Sequence, residues 1–326
     1  MASCPSPVSQ GPANLDVLDD EHRKVLDRAV RNVLNTEVAE RVYAQIADGL
    51  PTEMSLIDSS DYVKDHPTIK AFGDALPGSE QFNLRLMELV AIACHQIGAY
   101  LFDLDDGAHK HKTYEDWRQN VLEEKKHGVE SRRYYDPPPI AFSHRAYRYP
   151  DQYPRGLADG AGYWAESKIL GGVTLFDRGE TEQECKAIWI HGDLIRGPRT
   201  LYPPTKEQFD ALIKFLTTPL GEGLTCPFPI HGASVNRPRW HPYHAFAYYH
   251  IFRDRYERKI PPNPPQSGCV EDGMDWPELD DRRILLLGGF SNPQGEPYVS
   301  DDEYAAATER IKNITPSSPL WRPPEI

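Results

Sequence analysis

The chain has 326 residues and a formal net charge of −13 with histidine counted as neutral. That length suffices for one large domain or two modest ones, with a core that needs neither disulfides nor a structural metal. Nucleic acids and anionic membranes select clustered lysine and arginine, so this acidic chain is not expected to bind nucleic acid or to insert stably into a membrane. Proline is the unusual component, with 30 residues against a typical share of ~5%.

Apolar residues spaced three and four apart predict a run of helices in the N-terminal part of the chain. Residues 80–103 are apolar on nearly all sides, so this helix is expected at the centre of the fold. Residues 1–14 have neither a basic segment nor an apolar core and are expected to be a disordered leader. The predicted helices cover residues 19–35, 37–48, 80–103 and 113–127.

The character of the chain changes near the prolines at 137–139. From there to about residue 200 the sequence reads as strands and loops, including a hairpin in which Asp177 and Arg178 are taken as turn residues. Thr205 is the expected N-cap of the next helix, which Pro219 ends. The remaining predictions are hairpin strands at 170–176 and 185–191, a helix at 243–259, a linker at 261–281, a buried strand at 284–290 and a helix at 301–313.

These elements predict an α+β fold with long proline-rich loops. The helical N-terminal half would pack with a small β-hairpin or sheet region and with further helices. We expect one globular domain over residues 15–326, with a helical part at about 15–136 and a mixed part at about 137–326.

A glutamate and a histidine interrupt the apolar run of the central helix. Glu88 and His95 are seven residues apart and therefore share a helix face. A buried carboxylate is costly unless it is paired or bound to a metal, so both residues are candidate metal ligands. They are separated by about 10 Å along the helix, so one shared ion would need ligands from elsewhere. The alternative is structural: Glu88 pairs with Arg85 or another buried arginine, and His95 forms a hydrogen bond in the core.

The helix predicted at 243–259 contains further candidate ligands. His250 and Asp254 are four residues apart and would share one face, and His244 lies near the start of the same helix. We therefore treat both histidines as candidate metal ligands and Asp254 as a candidate catalytic residue.

Basic residues also cluster at the end of this predicted helix. Arg253, Arg255 and Arg258 stand out on an acidic chain, and guanidinium groups match the oxygens of a phosphate or diphosphate. They are candidate substrate-binding residues. The alternative is a set of i,i+4 ion pairs, such as Asp254 with Arg258, on a solvated helix end.

Two more features are candidates for a site. His191 lies where a buried strand ends, a common position for functional groups, and is a candidate catalytic residue. Aromatic residues, among them Trp164 and Tyr248, are candidates for lining a pocket, where their ring faces would stabilise a cation. The alternatives are a polar loop and ordinary core aromatics.

The motifs of several enzyme classes are missing from the sequence. There is no GxxxxGK[ST] and no GxGxxG after a strand, which disfavours P-loop and Rossmann nucleotide binding, and there is no GxSxG or HExxH. The five cysteines are widely spaced without a CxxC pair, which fits a reducing cytoplasm.

Three stretches, at residues 87–105, 162–180 and 244–259, together resemble the fungal α-ionylideneethane synthase family. These are sesquiterpene synthases of the abscisic acid type that lack the usual aspartate-rich motifs. The resemblance implies a lyase that acts on farnesyl diphosphate or a related allylic diphosphate with a divalent metal, for which magnesium is the expected ion. In that case the residues with a metal role would be Glu88, His95, His244 and His250.

We therefore expect a cytoplasmic, metal-dependent lyase of terpenoid biosynthesis whose partner is a small anionic substrate. The arginines would neutralise the leaving diphosphate, aromatic faces would shield the allylic cation, and His191 or Asp254 would accept a proton. The alternatives are a metal-dependent hydrolase or oxygenase that uses the same groups, and a non-catalytic protein that binds a small ligand.

Overall fold

A computed structural model describes the part of the chain that carries the helices and the sheet. The described residues are 18–48, 74–104, 112–126, 140–147, 149–181, 184–192, 197–219, 221, 223–254 and 273–323. The predicted leader at 1–14, the prolines at 137–139 and most of the predicted linker at 261–281 lie outside them.

The predicted α+β fold is confirmed: nine α-helices in the described residues pack around a small antiparallel sheet. The helices are α1 Asp20–Leu34, α2 Glu37–Asp48, α3 Glu80–Asp103, α4 Lys112–Lys126, α5 Ala158–Leu170, α6 Lys206–Thr217, α7 Pro242–Tyr248, α8 Glu278–Leu287 and α9 Asp301–Ile311. The strands are β1 Gly172–Asp177, β2 Ile188–Gly192, β3 Leu201–Tyr202 and β4 Ile251–Phe252, in the spatial order β3-β2-β1-β4.

Local signals in the sequence fix several helix starts. The Asp19 carboxylate caps α1 by accepting from two backbone N–H groups, and Ser79 caps α3. Thr205 begins α6 with a complete capping box, in which its hydroxyl and the side chain of Gln208 each satisfy the other residue's backbone N–H. The predicted helices at 19–35, 37–48, 80–103, 113–127 and 301–313 are therefore confirmed to within about two residues.

The predicted hairpin is also confirmed, and it forms the centre of the sheet. Strands β1 and β2 are antiparallel, with Leu175 opposite Trp189 and Thr174 opposite Ile190. Alternate side chains of the two strands lie on opposite faces of the sheet. Phe176 and Ile190 pack in the main helical core on one face, and Leu175 and Trp189 pack in a smaller aromatic cluster on the other. Both faces of the sheet are covered, which is why these strands read as nearly continuous apolar runs.

The central helix α3 packs directly on α5, and small residues make the approach close. A Cβ added to Gly98 would lie 2.8 Å from the Cβ of Ala165 and 3.0 Å from the carbonyl oxygen of Ala161. On the other helix, a Cβ added to Gly162 would lie 2.8 Å from the His95 ring. The two helices therefore approach so closely that neither glycine position has room for a side chain.

The sequence did not predict α5. The segment from 137 to about 200 was expected to contain strands and loops, but residues 158–170 are a helix that is buried almost all round. Because α5 touches other elements on every side, its residues have no polar face and no helical periodicity to reveal it. The helix ends at Gly171, whose φ of 99° is a left-handed conformation that glycine adopts without strain.

Two predictions in the C-terminal part are wrong. The helix expected at 243–259 ends at Tyr248, and after His250, with a φ of 54°, the chain forms the short strand β4. The buried strand expected at 284–290 is instead the end of helix α8 and the turn after it, and Leu286 and Phe290 are largely exposed. A short apolar run does not by itself distinguish a strand from a helix.

Among the described helices, α3 is long and apolar enough by composition to cross a membrane. However, 72% of its most apolar window is buried inside the protein, as expected for a core helix.

The tight contact between α3 and α5 generates a stability prediction. Replacing Gly98 with Val should lower the free energy of unfolding by about 1–3 kcal/mol, because the added atoms overlap with α5. Gly197→Val is the matched control, since a Cβ there meets none of the residues that the structure describes within 4 Å. Urea unfolding of both variants measures the difference, and equal midpoints would contradict the close packing.

Candidate functional site

Buried charged side chains connect α3, α5 and the sheet. Glu88, on α3, accepts a hydrogen bond from Arg85 at 2.8 Å through Oε2 and one from Arg178 at 2.5 Å through Oε1. Arg178 follows β1 and also donates to the carbonyl oxygens of Phe252 and Arg253 at 3.1 and 2.7 Å. It therefore joins the central helix to both β1 and β4.

Arg253 links this first group of charges to a second. Its guanidinium donates to Glu166 Oε2 at 2.5 Å and lies 3.3 Å from His95 Nδ1. Glu166, on α5, also accepts from the backbone N–H of Thr174 at 2.6 Å. A guanidinium only donates hydrogen bonds, so the contact with Arg253 makes Nδ1 of His95 an acceptor.

The second imidazole nitrogen of His95 meets a carboxyl group. His95 Nε2 lies 2.9 Å from Asp159 Oδ1, and Asp159 Oδ2 lies 3.5 Å from the backbone N–H of Arg155. Both side chains are buried. With Nδ1 as an acceptor, the neutral imidazole carries its proton on Nε2 and donates it to Asp159.

Burial and neighbouring charges move the pKa values of these groups in different directions. Burial raises the pKa of Asp159 to about 9, against the opposing effects of the Arg155 N–H and the Arg253 charge. Burial, and then the charge of Arg253, hold the pKa of His95 well below its usual value. Burial also disfavours the carboxylate of Glu88, but Arg178 and Arg85 outweigh it and lower the pKa of that group. Near neutral pH the His95–Asp159 contact is therefore a hydrogen bond between neutral groups, although its distance would also fit an ion pair.

Aromatic rings surround the histidine and the arginine. The Tyr163 ring stands edge-on to His95, with centroids 4.5 Å apart, and the Arg253 guanidinium lies 4.9 Å from the centroid of the same ring. Tyr147 stacks on Tyr163 at 4.5 Å, and its hydroxyl lies 3.3 Å from Nδ1 of His191. These contacts connect the predicted residue His191 with His95 through two tyrosines.

The structure therefore brings together only some of the residues predicted from the sequence. Glu88, His95 and Arg253 lie in one buried network, and His191 lies next to it. Asp254 follows Arg253, with its Oδ2 3.6 Å from the Arg253 Nε, and is partly exposed.

The other predicted residues have different surroundings. Trp164 packs edge-on against Phe142 in the main helical core, as the structural alternative expected. Tyr248 is 57% exposed at the end of α7, where its ring meets that of His244. His250 lies 2.6 Å from the carbonyl oxygen of Gly179 through Nδ1. Arg255 and Arg258 lie outside the described residues.

The four predicted metal ligands do not fit a shared divalent ion in this arrangement. Each carboxylate oxygen of Glu88 accepts from a guanidinium group, and both ring nitrogens of His95 have polar neighbours. Within the described ranges, no group of three or more His, Cys, Asp or Glu residues is arranged to hold a metal. The structural alternative for Glu88, pairing with Arg85 and a second buried arginine, matches the observed contacts.

Sequence reasoning missed three members of the network. The sequence predicts Arg178 to be a turn residue, but an arginine directly after an apolar strand can reach back under the sheet, as Arg178 does. Asp159 and Glu166 lie on α5, the helix that the sequence did not predict. Their spacing of seven residues, on one helix face, repeats the spacing of Glu88 and His95 and was the available signal.

Comparison of the chain with protein-family models, with curated proteins and with solved structures gave no match. The resemblance to α-ionylideneethane synthases therefore remains an expectation from the three sequence stretches.

Arg178 should be essential to stability. Arg178→Met should lower the free energy of unfolding by about 3–5 kcal/mol, because it leaves the Glu88 carboxylate and two backbone carbonyls without this buried partner. Arg41→Met removes an exposed arginine that pairs with Glu37 at 2.9 Å and should leave the urea midpoint nearly unchanged. Similar midpoints for the two variants would contradict the role of Arg178.

Asp159 should make stability depend on pH. Its pKa is 3.8 in the reference state and about 9 in the folded protein, so the folded state retains a proton that the unfolded state releases between these values. Relative to Asp159→Asn, the wild-type protein should therefore lose stability as the pH rises from about 4 towards 9. His95 is present in both proteins, so its own titration largely cancels. Urea unfolding across this range measures the difference, and a constant difference would contradict the raised pKa.

Proposed function

We propose that this chain is an enzyme that transfers a proton through the buried His95–Asp159 pair, and that its substrate is an allylic diphosphate such as farnesyl diphosphate. The observation that carries the first part is the 2.9 Å contact between two groups whose pKa values move in opposite directions. Pairs of titratable groups with separated pKa values are the usual basis of acid–base assignments. The substrate class rests on the sequence resemblance and on the aromatic surroundings of the pair.

The raised pKa makes Asp159 a proton donor at neutral pH, and the lowered pKa makes His95 a proton acceptor. In a lyase reaction the allylic C–O bond breaks and the diphosphate leaves with the electron pair. Asp159 would protonate a leaving oxygen, and His95 would take a proton from the carbocation at Nδ1, which completes the alkene. Transfer from Nε2 to Oδ1 across the 2.9 Å contact would then restore a neutral pair with the imidazole proton on Nδ1. Loss of that proton to water and uptake of one at Nε2 would return the ring to the form that accepts from Arg253.

Tyr163 and Tyr147 support cation chemistry at this place. The face of Tyr163 already holds the positive charge of Arg253 at 4.9 Å from its centroid, and Tyr147 stacks beside it. An aromatic face stabilises an organic cation by the same electrostatic attraction.

Arg155 lies between the His95–Asp159 pair and the protein surface. Its backbone N–H faces Asp159, while its partly exposed guanidinium binds Asp103 at 2.8 Å, at the end of α3. Separation of this exposed ion pair costs little, since exposed ion pairs contribute little to stability, and would free the Arg155 side chain next to Asp159.

A divalent metal would supply Lewis acidity at the leaving diphosphate. The predicted ligands do not fit such an ion, and the proposed proton transfers to and from the substrate use side chains of the protein alone. The metal-dependent hydrolase and oxygenase alternatives depend on the same ligand set, as does the metal role in the lyase.

The test is an activity assay with farnesyl diphosphate, with diphosphate release and extracted hydrocarbons as readouts, in the presence of magnesium and of a chelator. His95→Gln and Asp159→Asn should each lower kcat by about 10²–10⁴-fold, because each removes one half of the acid–base pair.

The chain offers a matched control in a second His–Asp pair. His22 Nδ1 lies 2.8 Å from Asp19 at the start of α1, so His22→Gln makes the same chemical change outside the network and should retain full activity. If Asp159→Asn or His95→Gln turns over like the wild type, the proton-transfer role is wrong. If the folded wild type releases no diphosphate in either buffer, the substrate class is wrong.

A further inference from the structure

Helices α8 and α9 form an antiparallel pair near the C-terminus. Arg310, in the last turn of α9, donates to Asp281 near the start of α8 at 2.7 and 2.9 Å. At the opposite end, the Tyr304 ring of α9 lies against Gly288, the residue that follows α8. The end of each helix therefore lies beside the start of the other.

This helix pair presents large apolar side chains to solvent. Leu286 is 64% exposed and Phe290 is 62% exposed. Phe290 and Tyr298 are neighbours across a short loop, because the Phe290 carbonyl accepts from the Tyr298 N–H at 3.0 Å. We define the apolar patch as Leu286, Leu287, Phe290, Tyr298 and Tyr304. A group of large exposed apolar residues around one helix end is typical of an interaction surface.

Opposite charges flank the apolar patch at its two ends. The exposed Arg282 and Arg283 lie at the middle of α8, two residues after the exposed Asp280. The exposed acidic residues Asp301 and Asp302 lie at the start of α9, on the side where α8 ends. From Arg282 and Arg283 to Asp301 and Asp302 the surface therefore runs from basic through apolar to acidic.

We propose that two copies of this chain associate through the apolar patch about a two-fold axis. A two-fold interface brings the same surface of both partners together in opposite directions, so a patch with one basic and one acidic end is complementary to itself. Arg282 and Arg283 of each copy then face Asp301 and Asp302 of the other, and the apolar residues meet between them.

The net charge of the chain favours the two-fold dimer over association in other orientations. Two molecules that each carry −13 repel one another in most orientations. In the antiparallel dimer, the arginines of each copy attract the aspartates of the other while the apolar residues become buried. Electrostatic complementarity of this kind fixes the register of an interface.

Sedimentation and light scattering of the full chain, from about 1 to about 100 µM, test the proposal. The wild type should form a dimer within this range, and the double variant Leu286→Glu/Phe290→Glu should remain a monomer. Leu76→Glu/Val235→Glu places the same two charges on apolar residues that are 76% and 67% exposed elsewhere on the surface, and it should dimerise like the wild type. A wild type that remains monomeric overturns the proposal, as does a double variant that dimerises normally.

Charge reversal tests the antiparallel arrangement and does not depend on the apolar variants. Arg282→Glu/Arg283→Glu and Asp301→Lys/Asp302→Lys should each weaken self-association at least about tenfold, because both ends of the dimer then carry like charges. An equimolar mixture of these two variants restores opposite charges at both ends and should associate like the wild type. Far-UV circular dichroism confirms that each variant is folded. A mixture of folded variants that stays monomeric overturns the arrangement.

Discussion

The direct contact between α3 and α5 determines the arrangement of the other groups in the interior. Gly98 and Gly162 have no room for a Cβ, so the two helix backbones lie closer together than ordinary side chains permit. This approach places the His95 ring on α5, within 2.9 Å of Asp159. It also buries the polar residues of both helices away from water, so each of them must find its partner inside the protein.

Buried arginines are the main partners of the buried carboxylates on these two helices. Arg178 and Arg253 reach from the sheet to Glu88 and Glu166, and Arg178 also binds the backbone next to β4. A guanidinium has five donors in a fixed plane, so one side chain can bond a carboxylate and several carbonyls together. This explains why a carboxylate that looked like a metal ligand in the sequence is structural: it holds α3 to the sheet.

Sequence reasoning succeeded where a local pattern decides the structure. The helix starts at Asp19, Ser79 and Thr205 depend on neighbouring residues alone, and the hairpin depends on two β-rich runs with a polar turn. It failed where distant contacts decide. Helix α5 has no polar face because it is enclosed, and the helix after Pro242 stops early because the chain turns at His250 to pair with β1. The convergence of Asp159, Glu166 and Arg253 on His95 is likewise a long-range result: the spacing of Asp159 and Glu166 indicates a shared helix face but not the partner that this face meets.

Glu88 and Asp159 are equally buried carboxyl groups, and their neighbours give them opposite protonation states. Two guanidinium groups outweigh the cost of burial for Glu88, so its pKa is lowered and it remains ionised. For Asp159 the cost of burial exceeds the opposing effects of the Arg155 backbone N–H and of the Arg253 and Arg155 charges, so its pKa is raised to about 9. A carboxylate fixed by two arginines can neither release nor accept a proton near neutral pH, whereas a protonated carboxyl group beside an imidazole can do both. In the proposed function the proton transfer therefore belongs to Asp159 and His95, while Glu88 holds the helix on which His95 stands.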